Sequence, residues 1–160
     1  MEMAVGGYFD AMGPIQAALV KKFGLGEDGY LIDVGCGSGR LAKPLSKIHT
    51  GRYFGFDLVP ELVAHAKKIS ARPDWKFGVI DHIAIPEEDR AADVVCFFSV
   101  LTHLLHEQSY WYLEEAQRIL KPGGRIVFSF LELDQPPHWP IFEATLKDAK
   151  NGGDQPLNVL

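Results

Sequence analysis

The chain has 160 residues, a formal net charge of −5 at pH 7 and 47% hydrophobic residues. This size suits one domain with a real core, and the acidic balance disfavours a nucleic-acid-binding surface, which normally carries a basic face. Cys36 and Cys96 lie far apart inside apolar runs and are interpreted as buried small hydrophobic residues of a reducing compartment. Because neither a signal peptide nor a membrane-spanning run is evident, we expect a cytoplasmic protein.

Helices and strands alternate along most of the chain. In chain order, apolar spacing predicts a helix over 14–23, a strand over 30–35, a helix over 40–48, a strand over 52–57, a helix over 60–69, strands over 75–80 and 92–99, a helix over 106–120, a strand over 124–131 and a helix over 141–150. This alternation predicts an α/β fold, a Rossmann-like, doubly wound, mostly parallel sheet with helices on both faces. In such sheets ligands bind at the carboxyl ends of the strands.

Glycine and acidic residues lie at the ends of the first two predicted strands. Gly35, Gly37 and Gly39 can adopt positive φ or let a ligand approach the backbone. Asp33, at the end of the first strand, is expected to orient a loop amide or a cationic group of a ligand. Asp57 follows the second strand, 22 residues after Gly35, and an acidic residue at about that separation can accept hydrogen bonds from both hydroxyls of a ribose.

Polar residues also follow the third and fourth predicted strands. Asp81 can accept a hydrogen bond from an exocyclic amine, and Ser99, Thr102 and His103 come after the fourth strand. Glycines often serve only a turn, and lone aspartates usually face solvent, so each feature alone is weak. Their combination, in order and at successive strand ends, predicts a nucleoside-containing ligand.

The glycine spacing separates two kinds of nucleoside ligand. The dinucleotide fingerprint G-x-G-x-x-G/A requires a third small residue, and counting from Gly35 that position is Arg40. The third glycine comes one position early. A compact nucleoside without a pyrophosphate is therefore favoured, and a nicotinamide-dependent oxidoreductase is the less favoured alternative.

Five segments resemble, in order, the motifs of class I S-adenosylmethionine-dependent methyltransferases: "LIDVGCGSGR", "FGFD", "VIDHI", "ADVVCFFSVLTHL" and "LKPGGRIVFSF". They lie within about residues 30–131, and their order makes the resemblance specific. The resemblance implies methyl transfer from S-adenosylmethionine, with S-adenosylhomocysteine as the product. The expected acceptor is a small molecule, and the alternative is a cofactor-binding module or fragment without catalytic activity.

The resemblance also implies a set of cofactor-binding residues. Gly35 and Gly37 would lie under the methionine and ribose portions, with Asp33 nearby. Asp57 would hold the ribose hydroxyls and Leu58 would flank the adenine. Asp81 and the backbone of His82 would meet the adenine amine, and Ser99 would lie near the methionine portion. The full implied set is Asp33, Gly35, Cys36, Gly37, Asp57, Leu58, Asp81, His82 and Ser99.

A catalytic base is needed only when the acceptor must lose a proton. His103 is the candidate base because it follows the fourth strand at the carboxyl edge; the favoured alternative is that it caps the next helix or binds a backbone carbonyl. His103 and His106 are three residues apart, but no third ligand is nearby in the sequence, so we expect no metal site.

Segments outside the motifs allow two interpretations each. Tyr8, Phe9 and Met12, before the first predicted helix, either form a lid over the cofactor or pack that helix on the sheet. The loop over 134–140, which contains two further candidate side chains, His138 and Trp139, either shapes an acceptor pocket or is an ordinary connection.

The predicted organisation is a single methyltransferase domain over 1–160. It comprises a helical amino-terminal segment (1–28), a cofactor-binding core (29–131) and an incomplete carboxyl-terminal part (132–160). The family fold usually has seven strands, whereas the sequence predicts five, with the tail over 156–160 as the possible start of a sixth. We therefore expect a chain that lacks the last strands, either a fragment or a protein that pairs its uncovered sheet edge in a homodimer.

Overall fold

The structure is a computed structural model that describes residues 9–151. Its elements, in chain order, are α1 (Phe9–Lys22), β1 (Tyr30–Val34), α2 (Ala42–Leu45), β2 (Arg52–Asp57), α3 (Pro60–Ser70), β3 (Lys76–Val79), β4 (Ala92–Phe97), a short 3₁₀ helix (Leu101–His103), α4 (His106–Ile119), β5 (Leu120–Phe128) and α5 (Trp139–Lys150).

The five strands form one parallel sheet in the order β3-β2-β1-β4-β5. The chain begins at the centre with β1, moves outward to β3, and then crosses back to β4 on the other side of β1. Strand order therefore reverses between β1 and β4, and the carboxyl ends of these two strands form the switch point. The predicted α/β, Rossmann-like fold is confirmed.

Helices cover both faces of the sheet, and β1 has apolar side chains on each face to pack against them. Ile32 and Val34 belong to a core cluster that includes Ala116 and Ile119 of α4. Leu31 belongs to a second cluster, which α1 and α2 cover from the opposite face. Because successive side chains point to opposite faces, a strand covered on both sides must be apolar at nearly every position.

The first two helices differ most in length from their predictions. The first was predicted over 14–23, but α1 begins at Phe9 and contains Pro14, whose missing amide costs one hydrogen bond near the helix start. The second was predicted over 40–48, but α2 spans only Ala42–Leu45. Its Pro44 has no amide hydrogen to donate to the Arg40 carbonyl, so regular helical bonding starts later.

The last strand also differs from its prediction over 124–131. β5 begins at Leu120 and ends at Phe128, and its pairing with β4 shifts register between Ala92 and Val94. Residues 121–124 therefore form an irregularity within the strand, where Gly123 adopts a φ of +83°. Within residues 9–151 no strand pairs with the outer edge of β5, and an open groove of about 720 Å³ lies along β5 and α4.

Candidate functional site

The glycine turn after β1 is shaped by the packing of this chain itself. Gly35, Gly37 and Gly39 adopt φ values of +67°, +52° and +90°. A Cβ atom on Gly35 would lie 2.5 Å from Cγ2 of Val100, and one on Gly39 would lie 2.8 Å from Cα of Ala66 in α3. At both positions the space that a side chain would need is already filled by another residue of the chain. The glycines are therefore required by packing, and their presence alone does not define a ligand site.

Asp57, at the end of β2, fixes the position of this turn. Its Oδ2 accepts a hydrogen bond from the Gly37 amide at 3.0 Å, and its Oδ1 accepts one from the Val59 amide at 3.0 Å. The carboxylate thus joins the glycine turn to the start of α3. Because an ionised carboxylate has about four acceptor positions, Asp57 can still accept hydrogen bonds from the two hydroxyls of a ribose.

Asp33 lies beneath the turn rather than at the surface. It is 2% exposed, and its carboxylate accepts hydrogen bonds from the Tyr53 hydroxyl at 2.6 Å and from the Cys96 thiol at 3.4 Å. Burial raises the pKa of Asp33 to about 6, although the Tyr53 hydrogen bond opposes this. The expected hydrogen bond between a loop amide and a strand-end carboxylate is therefore made by Asp57, not by Asp33.

Cys36 is also buried under the turn. It is 5% exposed, and its amide donates to the Phe56 carbonyl at 2.9 Å, which continues the pairing of β1 with β2. Burial raises the pKa of the Cys36 thiol well above its usual value. The side chain is therefore a neutral, packed group, as the sequence indicated for both cysteines, and a ligand would meet the Cys36 backbone instead.

Exposed apolar and acidic side chains lie together at the ends of β2 and β3. Leu58 is 70% exposed and Val79 is 50% exposed. Beyond them, Oδ1 of Asp81 lies 3.0 Å from Nδ1 of His82, and this hydrogen bond lowers the pKa of Asp81. A flat base with an exocyclic amine suits such a surface. The sequence interpretation missed Val79, although its position as the last residue of β3 was a usable signal.

A second polar group lies at the ends of β4 and β5. Ser99 adopts a φ of +61°, an uncommon conformation for a residue with a side chain. Its amide donates to the Ser129 hydroxyl at 2.7 Å, and its hydroxyl accepts from Nη2 of Arg40 at 3.4 Å. Strained residues of this kind concentrate at functional sites. Neither Ser129 nor Arg40 was predicted as a site residue.

His103 lies in the 3₁₀ helix between β4 and α4. Its amide donates to the Val100 carbonyl at 2.9 Å. The residue that precedes α4 is Leu105, whose amide donates to Oε1 of Gln108 at 2.9 Å. The N-cap position of α4 is therefore occupied by Leu105 and not by His103. A role of His103 as catalytic base, and the alternative that it binds a backbone carbonyl, stay predictions.

Two of the three predicted lid residues lie on the first helix and not before it. Phe9 and Met12 belong to α1, and Nζ of Lys43 in α2 lies 5.5 Å from the centre of the Phe9 ring. Tyr8 and the tail over 156–160 lie outside the described residues.

In the described part of the chain, three or more His, Cys, Asp or Glu side chains nowhere converge as a metal site would require.

None of the helices within residues 9–151 has the length and apolar character needed to span a bilayer.

The sequence of this core matches a known family. Residues 32–128, more than half of the chain, match the family described as "Methyltransferase domain", so the chain belongs to that family. The match confirms the resemblance to the S-adenosylmethionine-dependent methyltransferases, a family whose cofactor is S-adenosylmethionine. A solved structure of a TehB-like S-adenosylmethionine-dependent methyltransferase from Corynebacterium glutamicum has a TM-score of 0.63 and 27% identity, covering 93% of this chain and 75% of that one.

Curated relatives with different acceptors in their names share this core. A ubiquinone biosynthesis O-methyltransferase from Hydrogenovibrio crunogenus is 29% identical over 130 residues, which are 78% of this chain and 52% of the relative. A probable tRNA methyltransferase 9B from Mus musculus is 28% identical over 104 residues, which are 64% of this chain and 22% of the relative. The chain thus spans about half of the first relative and less of the second.

Proposed function

We propose that this chain binds S-adenosylmethionine at the carboxyl edge of β1, β2 and β4 and transfers its methyl group to a small-molecule acceptor. The observation that carries the proposal is the Asp57 carboxylate, which is held by the Gly37 and Val59 amides at the end of β2. This arrangement holds two acceptor oxygens where ribose hydroxyls are bound in sheets of this class.

The chain's own groups would each have a limited task in the reaction. The cofactor supplies a methyl group on a sulfonium, which is a good leaving group, so the protein needs mainly to align an acceptor and exclude water. Alignment alone is worth effective molarities of about 10⁵ M or more. Leu58 and Val79 would cover the adenine, and Asp81 would accept its amine hydrogen bond. His103 would take a proton only from an acceptor that must lose one.

A small-molecule acceptor is favoured over a nucleic acid by the net charge of −5, since nucleic-acid surfaces are normally basic. One relative is named a ubiquinone biosynthesis O-methyltransferase, which agrees with this proposal. Another is named a probable tRNA methyltransferase, so tRNA is the competing acceptor to test. A cytoplasmic location and a homodimer through the uncovered edge of β5 stay predictions.

Calorimetric titration of S-adenosylmethionine and S-adenosylhomocysteine tests the cofactor site. Replacing Asp57 with Ala should reduce the binding free energy of both ligands by about 1–3 kcal/mol, which is a roughly 5- to 150-fold loss of affinity, since charge-assisted hydrogen bonds are lost. Asp74→Ala is the matched control. Asp74 pairs with Arg72 just before β3 begins, so it lies near the amino ends of the strands, away from the proposed cofactor site. Its affinities should equal those of the wild type.

Two results would contradict the proposal. A folded wild-type protein that binds neither ligand would remove the cofactor site, and equal losses in both aspartate variants would show that Asp57 has no specific part in it. Where binding is found, transfer of a labelled methyl group to small phenols, amines and carboxylates should exceed transfer to tRNA. Binding without transfer to any acceptor would instead favour the alternative of a module without catalytic activity.

A further inference from the structure

We propose that Tyr112 of α4 is a positioning residue for the adenine end of the cofactor site. Its hydroxyl holds the backbone at His82, and the Arg118–Glu115 pair on the same helix fixes the chain a few residues farther on. This inference rests on the proposed function, in which Asp81 accepts the hydrogen bond of the adenine amine. It makes α4 a determinant of how strongly the site prefers adenine, although the proposed contacts with adenine come from other parts of the chain.

The segment over 80–91, which carries Asp81 and His82, forms neither a helix nor a strand. The side chains of Asp81 and His82 are 90% and 72% exposed, so packing around them does not fix their positions. Oδ1 of Asp81 lies 3.0 Å from Nδ1 of His82, so the position of His82 also influences that of the Asp81 carboxylate. Recognition of an amine by Asp81 therefore depends on how firmly this backbone is held, because a mobile acceptor must be ordered when the ligand binds.

Tyr112 contacts this backbone beside Asp81. Its hydroxyl donates to the His82 carbonyl at 3.4 Å. The Tyr112 ring packs edge-on against Phe97 of β4, with the ring centres 5.9 Å apart, so the core fixes the direction of the hydroxyl. The residue is 9% exposed, and both burial and the charge of Asp57 raise the pKa of Tyr112. The hydroxyl therefore stays protonated and can donate.

A second anchor on α4 holds the same segment at Ile85, whose side chain is buried in the core. The Ile85 amide donates to Oε2 of Glu115 at 3.1 Å, and Nη2 of Arg118 donates to the Ile85 carbonyl at 2.9 Å. Nε and Nη2 of Arg118 also donate to the Glu115 carboxylate. Nη1 of Arg118 donates to the Glu87 carbonyl and to Oδ1 of Asp89. All five guanidinium N–H groups thus have acceptors, which ties the segment to α4 over several residues.

The two anchors act at different distances from the proposed adenine contact. Arg118 and Glu115 hold the middle of the segment, whereas Tyr112 acts at the residue next to Asp81. Replacement of Tyr112 by Phe keeps the packed ring but removes the donor to the His82 carbonyl. We therefore expect Tyr112→Phe to loosen the backbone beside Asp81 and to weaken the contact with the adenine amine.

A pair of ligands that differ only at the exocyclic amine tests the inference. The probes are S-adenosylhomocysteine and its 6-deamino analogue, in which a hydrogen atom replaces the adenine amine, titrated by calorimetry into the wild type and Tyr112→Phe. The wild type should bind S-adenosylhomocysteine about 10- to 100-fold more tightly than the analogue, the range for a hydrogen bond to a charged acceptor. Tyr112→Phe should reduce this preference at least about 3-fold through weaker binding of S-adenosylhomocysteine, while the analogue should bind within about 2-fold of wild type.

Tyr110→Phe is the matched control, since it makes the same substitution on the same helix. Tyr110 is 64% exposed and lines the groove along β5, so both affinities should equal those of the wild type. Arg118→Lys tests the second anchor independently. Because lysine keeps the charge but loses the planar array of donors, this variant should also reduce the preference for the amine. Urea unfolding of each variant accompanies the titrations, because a purely structural role would lower the stability without changing the preference.

The outcomes that contradict the inference separate it from the proposed function. An unchanged preference in Tyr112→Phe would overturn the inference, and so would an equal loss of affinity for both ligands, since Tyr112 would then act on the whole site. A wild type that binds both ligands equally would show that the amine is not recognised, which also overturns the inference. These three results would leave the cofactor site intact, whereas a folded wild type that binds neither ligand would overturn the proposed function itself.

Discussion

Replacement of Asp33 by Asn should change how the stability of the protein depends on pH. The Asp33 side chain is 2% exposed and accepts a hydrogen bond from the Tyr53 hydroxyl at 2.6 Å. Burial raises the pKa of its carboxyl group from 3.8 to about 6. An asparagine keeps the shape and an acceptor for Tyr53 but does not ionise, so the comparison isolates the titration of this one carboxyl group.

The sign and size of the effect follow from the raised pKa of Asp33. Between about pH 4 and 6 the folded protein holds this proton more firmly than the unfolded chain. The stability contributed by Asp33 is therefore fully present below the unfolded pKa and is lost as the pH rises through the folded pKa. At about 1.36 kcal/mol per pH unit, the shift from 3.8 to about 6 corresponds to about 3 kcal/mol. About 2 kcal/mol of this falls between pH 4.5 and 8.

Urea unfolding followed by circular dichroism, at several pH values from 4.5 to 8, measures this effect. The free energy of unfolding of Asp33→Asn minus that of the wild type should increase by about 2 kcal/mol across the range. Asp74→Asn is the control: the pKa of Asp74 is lowered to about 2 by the hydrogen bond from Arg72, so this group does not titrate there. An Asp33→Asn curve parallel to the wild type would refute the reasoning.

Three further substitutions test the glycine turn, with its control, and the candidate base. Gly39→Ala should cost about 2–4 kcal/mol of stability, because φ is +90° and the new Cβ atom would lie 2.8 Å from Cα of Ala66. Gly123→Ala, with a φ of +83° but no heavy atom within 4 Å, should cost only about 1–2 kcal/mol; equal losses in urea unfolding would contradict the packing argument. His103→Asn should lower kcat about 10²- to 10⁴-fold for an acceptor that must lose a proton, with unchanged affinity for S-adenosylhomocysteine; an unchanged kcat would exclude His103 as the base.

The strands were predictable from the sequence because burial on both faces leaves a continuous apolar run. β1 is buried at every position, and β4 at all but one. Helix bounds were less predictable, since they depend on which backbone groups find partners. Pro14 was interpreted as a helix start, but α1 continues through it. Pro44 shortens α2 by removing a donor for the Arg40 carbonyl, an effect that apolar spacing does not show.

The positions of site residues were predictable as strand ends, but their contacts were not. Spacing places Asp33 and Asp57 alike at the ends of neighbouring strands, yet only one of them contacts the glycine turn. The alternation of side chains along β1 indicates why Asp33 is buried and Asp57 is not. Asp33 lies on the same face of the sheet as Leu31, whose cluster is covered by α1 and α2. Its burial follows from that register, as does its contact with Cys96 on β4.

The same contacts explain why the glycine turn can serve as a preformed site. Asp57 holds the turn from β2, Ala66 of α3 packs against Gly39, and Val100 after β4 packs against Gly35. Three separate elements thus determine the conformation of the turn through contacts within the chain. Because a site that is ordered before binding loses little conformational entropy when its ligand arrives, the affinity contributed by Asp57 should depend on the packing of Ala66 and Val100 as much as on its own carboxylate.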